Sequence, residues 1–96
     1  MIQINFTGHH IEITSPLKQF TTEKFEKLLR HFERIISIDV TFEVEKLRQI
    51  VKASIHIAGK NFHADSEAED MYKAVDFLID KLDRQLKDHR EKQTEH

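Results

Sequence analysis

Cysteine is absent from this 96-residue chain, which excludes disulfides, thiolate metal sites and a cysteine nucleophile. Glycine occurs twice and proline once, too rarely for long loops or an extensively disordered body. No apolar run approaches membrane-spanning length. The opening "MIQINFTGHH" lacks a cationic segment followed by an apolar core, so it does not read as a secretory signal. Charge of one sign is also lacking: 15 Lys and Arg stand against 17 Asp and Glu, a formal −2. A strong nonspecific field is therefore excluded, and nucleic-acid binding has to come from how the charges are distributed. These absences point to the cytoplasm. With 39% apolar residues, the chain suits a single domain over 1–96 with one core. The polar stretch "EKQTEH", about residues 91–96, reads as a disordered tail.

What is present is strong periodicity. In "IQINF", Ile2, Ile4 and Phe6 alternate with Gln3 and Asn5, which predicts a half-buried strand; Gly8 in "TGHH" reads as the turn that ends it. "TSPLKQFTTEKFEKLLRHFERI" predicts a helix, with Ser15 as N-cap and Pro16 in the first turn. Its apolar stripe is Leu17, Thr21, Phe25, Leu28 and Phe32. Two alternating segments follow. Ile36, Ile38, Val40, Phe42 and Val44 share one face of the first, and Val51, Ala53, Ile55 and Ile57 one face of the second. Gly59-Lys60 fits a two-residue hairpin turn, which would pair Ile57 with Phe62 and His56 with His63. The last segment, from Asp70 to Lys92, places Met71, Val75, Leu78, Leu82, Leu86 and His89 on one helical stripe.

The order is β-α-β-β-β-α. A strand-helix-strand start implies a right-handed parallel crossover, and one-faced strands require both helices on the same side. The expected fold is α+β: a two-layer sandwich with a four-stranded mixed sheet, two helices on one face and a bare polar face behind.

The cations fall unevenly on those helices. On the first, Lys24, Lys27, Arg30, His31 and Arg34 gather on one flank, with Glu26 and Glu33 apart and Glu23 intruding. On the last, Lys73, Lys81, Arg84 and Lys87 spread over roughly 160–280° from Met71, with Asp80, Asp88 and an exposed Phe77 inside that arc. Side by side, the two basic flanks would line a shared groove. A charge run on a surface helix is most often a solvated face; these cations gain real weight only against a polyanion, through counterion release.

Other chemistries are poorly served. Adjacent His9-His10 and the expected His56/His63 pair suggest a metal edge, but no third ligand and no His-Glu-x-x-His accompany them. Asp65, Glu67, Glu69 and Asp70 precede the last helix, where its dipole accounts for them without catalysis. No Ser-centred elbow or Gly-rich phosphate loop appears. The polar sheet face (Gln3, Asn5, Thr41, Lys52, Ser54, His56) lacks the aromatics that stack bases and the apolar patch of an obligate interface.

"DMYKAVDFLIDKLDRQLKDHREK" closely resembles the C-terminal helix of the bacterial ribosome hibernation-promoting factors, whose pattern runs Asp-Met-Tyr, Ala-Ile/Val-Asp, Asp-Lys-Leu and Arg-Gln-Leu. "INFTGHHIEIT" looks like the opening strand and loop of that family, "EKFEKLLRHF" its first helix, and "VEKLRQIVKASIHI" the turn into its third strand. The resemblance implies a non-enzymatic, cytoplasmic stress or stationary-phase protein with a fold related to double-stranded-RNA-binding domains. It implies binding in the decoding channel of the small ribosomal subunit, over the messenger and transfer RNA sites, through basic residues on 16S rRNA. The matching positions are Lys24, Lys27, Lys81, Arg84 and Lys87; Arg30, Lys73 and Arg90 join them on charge and face. Tyr72 matches a recurrent family aromatic, with base stacking and packing both open. No cofactor, membrane or small-molecule substrate is implied. From length, the chain looks like the short form that acts with a separate ribosome modulation factor to give ribosome dimers. The alternatives are a protein Y-like inhibitor that stabilises single ribosomes, or a generic structured-RNA-binding domain. Asp88, where relatives tend to be basic, and bulky Phe77 depart from the pattern.

Overall fold

The structure is a computed structural model that describes residues 3–30 and 35–94, with side chains through His89. Ile2, His31, Phe32, Glu33 and Arg34 of the expected elements lie outside the described residues, as do the side chains of Arg90 and Lys92. Six elements follow the expected order: β1 (Gln3–His9), α1 (Ser15–Leu29), β2 (Ile35–Glu45), β3 (Arg48–Ile57), β4 (Lys60–Ala68) and α2 (Met71–Thr94). The last helix thus takes in residues 91–94 of the stretch expected as a tail.

The sheet order is β1-β2-β3-β4, with β1 parallel to β2 and the other pairs antiparallel. Both helices cover one face. Their apolar stripes (Leu17, Phe25 and Leu28; Met71, Val75, Leu78, Leu82 and Leu86) close on Ile38, Val40, Phe42, Val51, Ala53, Ile55 and Phe62. Thr21 is buried in the α1 stripe, where its Oγ1 donates to the Leu17 carbonyl at 2.8 Å, so the hydroxyl enters the core without an unsatisfied donor.

Four local expectations shift. The N-cap of α1 is Thr14, whose Oγ1 accepts from the Leu17 N–H at 3.3 Å. Ser15 begins the helix, and proline follows in the first turn. Gly8 is not the turn; it lies in β1, where a Cβ would meet the Ile11 carbonyl oxygen at 2.7 Å. Its lack of a side chain lets the chain fold back on the strand, and His10 makes the reversal with φ 61°.

In β2 the register shifts between Ile35 and Ser37, so Ile35 is buried and Ile36 is 64% exposed. A bulge adds a residue and exchanges the faces on either side of it, which simple alternation cannot anticipate. Finally, Ile57 pairs with Lys60, so the β3–β4 turn is Ala58-Gly59, one residue earlier than expected. Gly59 takes the left-handed φ of +81° at its second position. The move preserves which side chains face inward, but it sets Ile55 opposite Phe62, Ser54 opposite His63 and His56 opposite Asn61. His56 and His63 are therefore not cross-strand partners, and the geometry behind a two-imidazole metal edge is gone.

Candidate nucleic-acid interface

The two helices meet along one flank of each. Phe20 of α1 packs edge-on against Tyr72 of α2, with centroids 4.9 Å apart, and Lys24 Nζ stands 3.0 Å from Asp76 Oδ1. Tyr72 remains 38% exposed, so it packs on α1 while keeping an open edge. Lys27 continues the Phe20–Lys24 flank by one turn and is exposed. Opposite it α2 offers acids rather than cations: Asp76 holds Lys24, and Asp83 holds Lys87 at 2.9 Å within its own helix. Both pairs are solvent-exposed, so each adds no more than about 0–1 kcal/mol and yields readily to a stronger anion.

The other flank of α2 meets the edge of the sheet. Lys81 Nζ donates to the Asp65 carbonyl at 2.7 Å, and Gln85 Nε2 to the His63 carbonyl at 3.0 Å. Arg84 follows Lys81 by three residues and lines the same open concavity beside β4. Lys73 and half-exposed Phe77 lie on the outer face between the flanks. Among the described residues, Lys27, Arg30, Lys73, Lys81 and Arg84 have no carboxylate within ion-pair distance.

The expected shared groove does not form. Helical phase puts the α1 cations and the Lys81–Arg84 pair on opposite sides of α2. The cations therefore lie along both flanks of α2, Lys24 in the partly neutralised seam with α1 and Lys81 and Arg84 at the sheet edge. The signal for this was in the sequence, since Asp76, Asp80 and Asp83 share a helix side. Only the contact of Lys24 with Asp76 shows that this side faces α1.

Across the polar sheet face runs a hydrogen-bonded chain that sequence reading missed. Gln3 donates to Asn5, Asn5 Nδ2 to Asp39 Oδ1 at 3.0 Å, and His56 bridges Asp39 Oδ2 (2.9 Å) and Asn61 Oδ1 (2.8 Å). Both ring nitrogens of His56 face oxygen acceptors, an arrangement that only the imidazolium satisfies with two donors. The Asn61 and Asp39 bonds accordingly raise the His56 pKa, while Asn5 and then His56 lower that of Asp39. Farther along the face, Glu67 holds Arg48 through paired hydrogen bonds, including Nη2 to Oε1 at 2.9 Å.

The pH consequence follows from these directions. A raised folded-state pKa on His56 stabilises fully below the ordinary imidazole value of about 6.5 and is lost as pH climbs through the folded value. The lowered Asp39 contributes above the ordinary carboxylate value of about 3.9 and is lost as pH falls through its folded value. His56→Gln is thus expected to lower stability more at pH 6 than at pH 9. Urea unfolding at the two pH values checks this; equal losses would show that the imidazole carries no extra charge in the folded state.

Among the described residues no group of three or more His, Asp or Glu is arranged to hold a metal, and no helix is long and apolar enough to cross a membrane.

Comparison with known proteins follows the same lines. The family described as "Sigma 54 modulation protein / S30EA ribosomal protein" matches residues 4–94. A ribosome hibernation promoting factor from Salmonella typhimurium is 48% identical over 95 residues, covering 99% of this chain and all of the relative. One from Azotobacter vinelandii is 48% identical over 94 residues, 98% of this chain and 88% of the relative. Among solved structures, a ribosomal subunit interface protein from Coxiella burnetii superposes with TM-score 0.89 at 32% identity, over 93% of this chain and 98% of that one. The N-terminal domain of Thermus thermophilus Protein Y superposes with TM-score 0.84 over 93% and 99%, and at 21% identity it attests the fold alone.

Proposed function

Since the chain belongs to the Sigma 54 modulation protein / S30EA ribosomal protein family, we propose that it is a cytoplasmic ribosome hibernation factor that silences the small subunit by occupancy. The folded domain fills the decoding channel and excludes messenger and transfer RNA without catalysis. Lys24, Lys27, Arg30, Lys73, Lys81, Arg84, Lys87 and Arg90 contact 16S rRNA phosphates. Under stress or in stationary phase, this occupancy promotes inactive ribosome dimers, with a ribosome modulation factor acting on the same ribosome.

One observation supports the reading beyond the names of the relatives: cations line both flanks of α2, Lys24 at the seam with α1 and Lys81 and Arg84 at the β4 edge. A protein that docks on one face of a duplex needs charge on one side, whereas a body enclosed by RNA walls uses both. Phosphate contacts then supply affinity and the shape of the channel supplies specificity. The Lys24–Asp76 and Lys87–Asp83 pairs fit this reading, because exposed ion pairs exchange partners cheaply when a phosphate arrives.

The test is cosedimentation of the protein with purified small subunits over a salt series, with duplex RNA as control. Binding to subunits, weakening steeply with salt and absent from duplex, is the expected result. Equal binding to both would reduce the protein to a generic structured-RNA binder, and binding to neither at low salt would overturn the reading.

A further inference from the structure

The outer face of α2 carries a phenylalanine that the packing of the domain does not use. Phe77 is 50% exposed, although the chain buries Phe25, Phe42 and Phe62 and pairs Phe6 with Phe42 and Phe20 with Tyr72. Among the described residues, Phe77 has neither a second ring against it nor a cation over its face. Helical phase sets it roughly 140° from the centre of the stripe formed by Met71, Val75, Leu78, Leu82 and Leu86. No rotation of the helix could bury it without turning that stripe out.

The surroundings of the ring are charged. Lys73 lies one turn before it and Lys81 one turn after it, with Asp80 and Arg84 on the same exposed face. Lys73, Lys81 and Arg84 have no carboxylate within ion-pair distance among the described residues. The other exposed large apolar side chain described on α2 is Tyr72, which leans on Phe20 at the α1 seam. A protein partner is held by a buried apolar core inside a polar rim, and one ring among charges does not provide that core. A nucleobase needs a single flat ring to stack on, with a cation in reach for the phosphate of the same nucleotide. Asp80 repels a phosphate placed directly over the ring, yet it can accept an N–H from the edge of a base.

The geometry points to Phe77 as a base-stacking residue, which receives one unpaired nucleobase of RNA between the turns that carry Lys73 and Lys81. The choice of RNA rests on the ribosome reading above; the site itself rests on the unpartnered ring. Phe77 is also a departure from the pattern of the family, so its contact adds to the phosphate contacts rather than repeating them. The two kinds of contact differ in their salt response, because stacking an uncharged ring releases no counterion.

Subunit cosedimentation and fluorescence test the stack, with circular dichroism to confirm that each variant is folded. Phe77→Ala is expected to weaken binding to small subunits about five- to a hundredfold while leaving the salt slope unchanged. Phe77→Tyr and Phe77→Trp should keep the affinity, and Phe77→Leu, apolar but without a π-face, should not. The chain has no tryptophan, so Phe77→Trp supplies a single emission reporter. Its emission is expected to be quenched by small subunits and by a short single-stranded RNA, as a base stacks on the indole. Unchanged binding by Phe77→Ala would overturn the stack and leave the ribosome reading intact. Full binding by Phe77→Leu, with the Phe77→Trp emission blue-shifted and unquenched, would do the same and assign the ring to an apolar pocket on a protein. Absence of quenching by either probe would also overturn the stack. Quenching by RNA, without subunit binding by the wild type, would overturn the ribosome reading alone.

Discussion

Lys27→Glu combined with Arg84→Glu is expected to weaken binding to the small ribosomal subunit by roughly a hundredfold or more near physiological salt, and to flatten the salt dependence by about two. Each residue is exposed, and neither has an acidic partner among the described residues, so each reversal removes an available cation and adds a repulsive charge. Lys27 stands on α1 and Arg84 on the flank of α2 beside β4, with no shared ion-pair partner among the described residues, so their effects should add. The single variants are therefore informative. An enclosed protein loses affinity from either one, whereas a protein docked through one face loses it from only one. The fold should survive: Lys27 sits in the last turn of α1, where losing a favourable dipole interaction costs about 0.3–1 kcal/mol. Cosedimentation and circular dichroism on the same preparations separate loss of binding from loss of structure. Full binding by the double variant would remove these residues from the interface.

Phe25→Ala is expected to lower stability by about 3–5 kcal/mol. Phe25 is fully buried and is the largest side chain that α1 gives to the core, at the centre of a stripe bounded by Leu17 and Leu28. A domain of this size is held by only about 5–15 kcal/mol in total, so the variant should melt about 15–30 °C lower. Helix α1 carries Lys24, Lys27 and Arg30, and its first turn depends on the Thr14 cap. Its looser seating should reduce subunit affinity at temperatures where the bulk of the domain is still folded. Thermal unfolding by calorimetry measures the first effect. A melting point within a few degrees of the wild type would mean that α1 is not anchored through this residue.

The layers of the fold were legible because periodicity reports burial directly. Leu17, Thr21, Phe25 and Leu28 on α1 and Met71, Val75, Leu78, Leu82 and Leu86 on α2 are buried as their spacing predicted. Two of the misses share a cause: each depended on a single residue's place in a register. Ile36 is turned out by a bulge, and the β3–β4 turn falls one residue early, so that His56 meets Asn61 rather than His63. Neither change alters the hydrophobic pattern enough to be read from it.

For the candidate site, the sequence located the cations but not their directions. Lys24 and Lys81 differ little as positions on amphipathic helices. Only the packing shows that one faces Asp76 in the helix seam and the other the Asp65 carbonyl at the sheet edge. Lys52 was visible as a polar sheet residue, yet nothing local marked it as a neighbour of Arg84. Strand order had to be known first.

The most direct test of occupancy is competition. Small subunits carrying labelled transfer RNA and messenger are titrated with the protein, and the bound label and bound protein are counted together. The account predicts mutual exclusion, with one protein displacing the label per subunit and excess messenger and transfer RNA reversing it. Subunits that hold the protein and a full complement of label at once would contradict it.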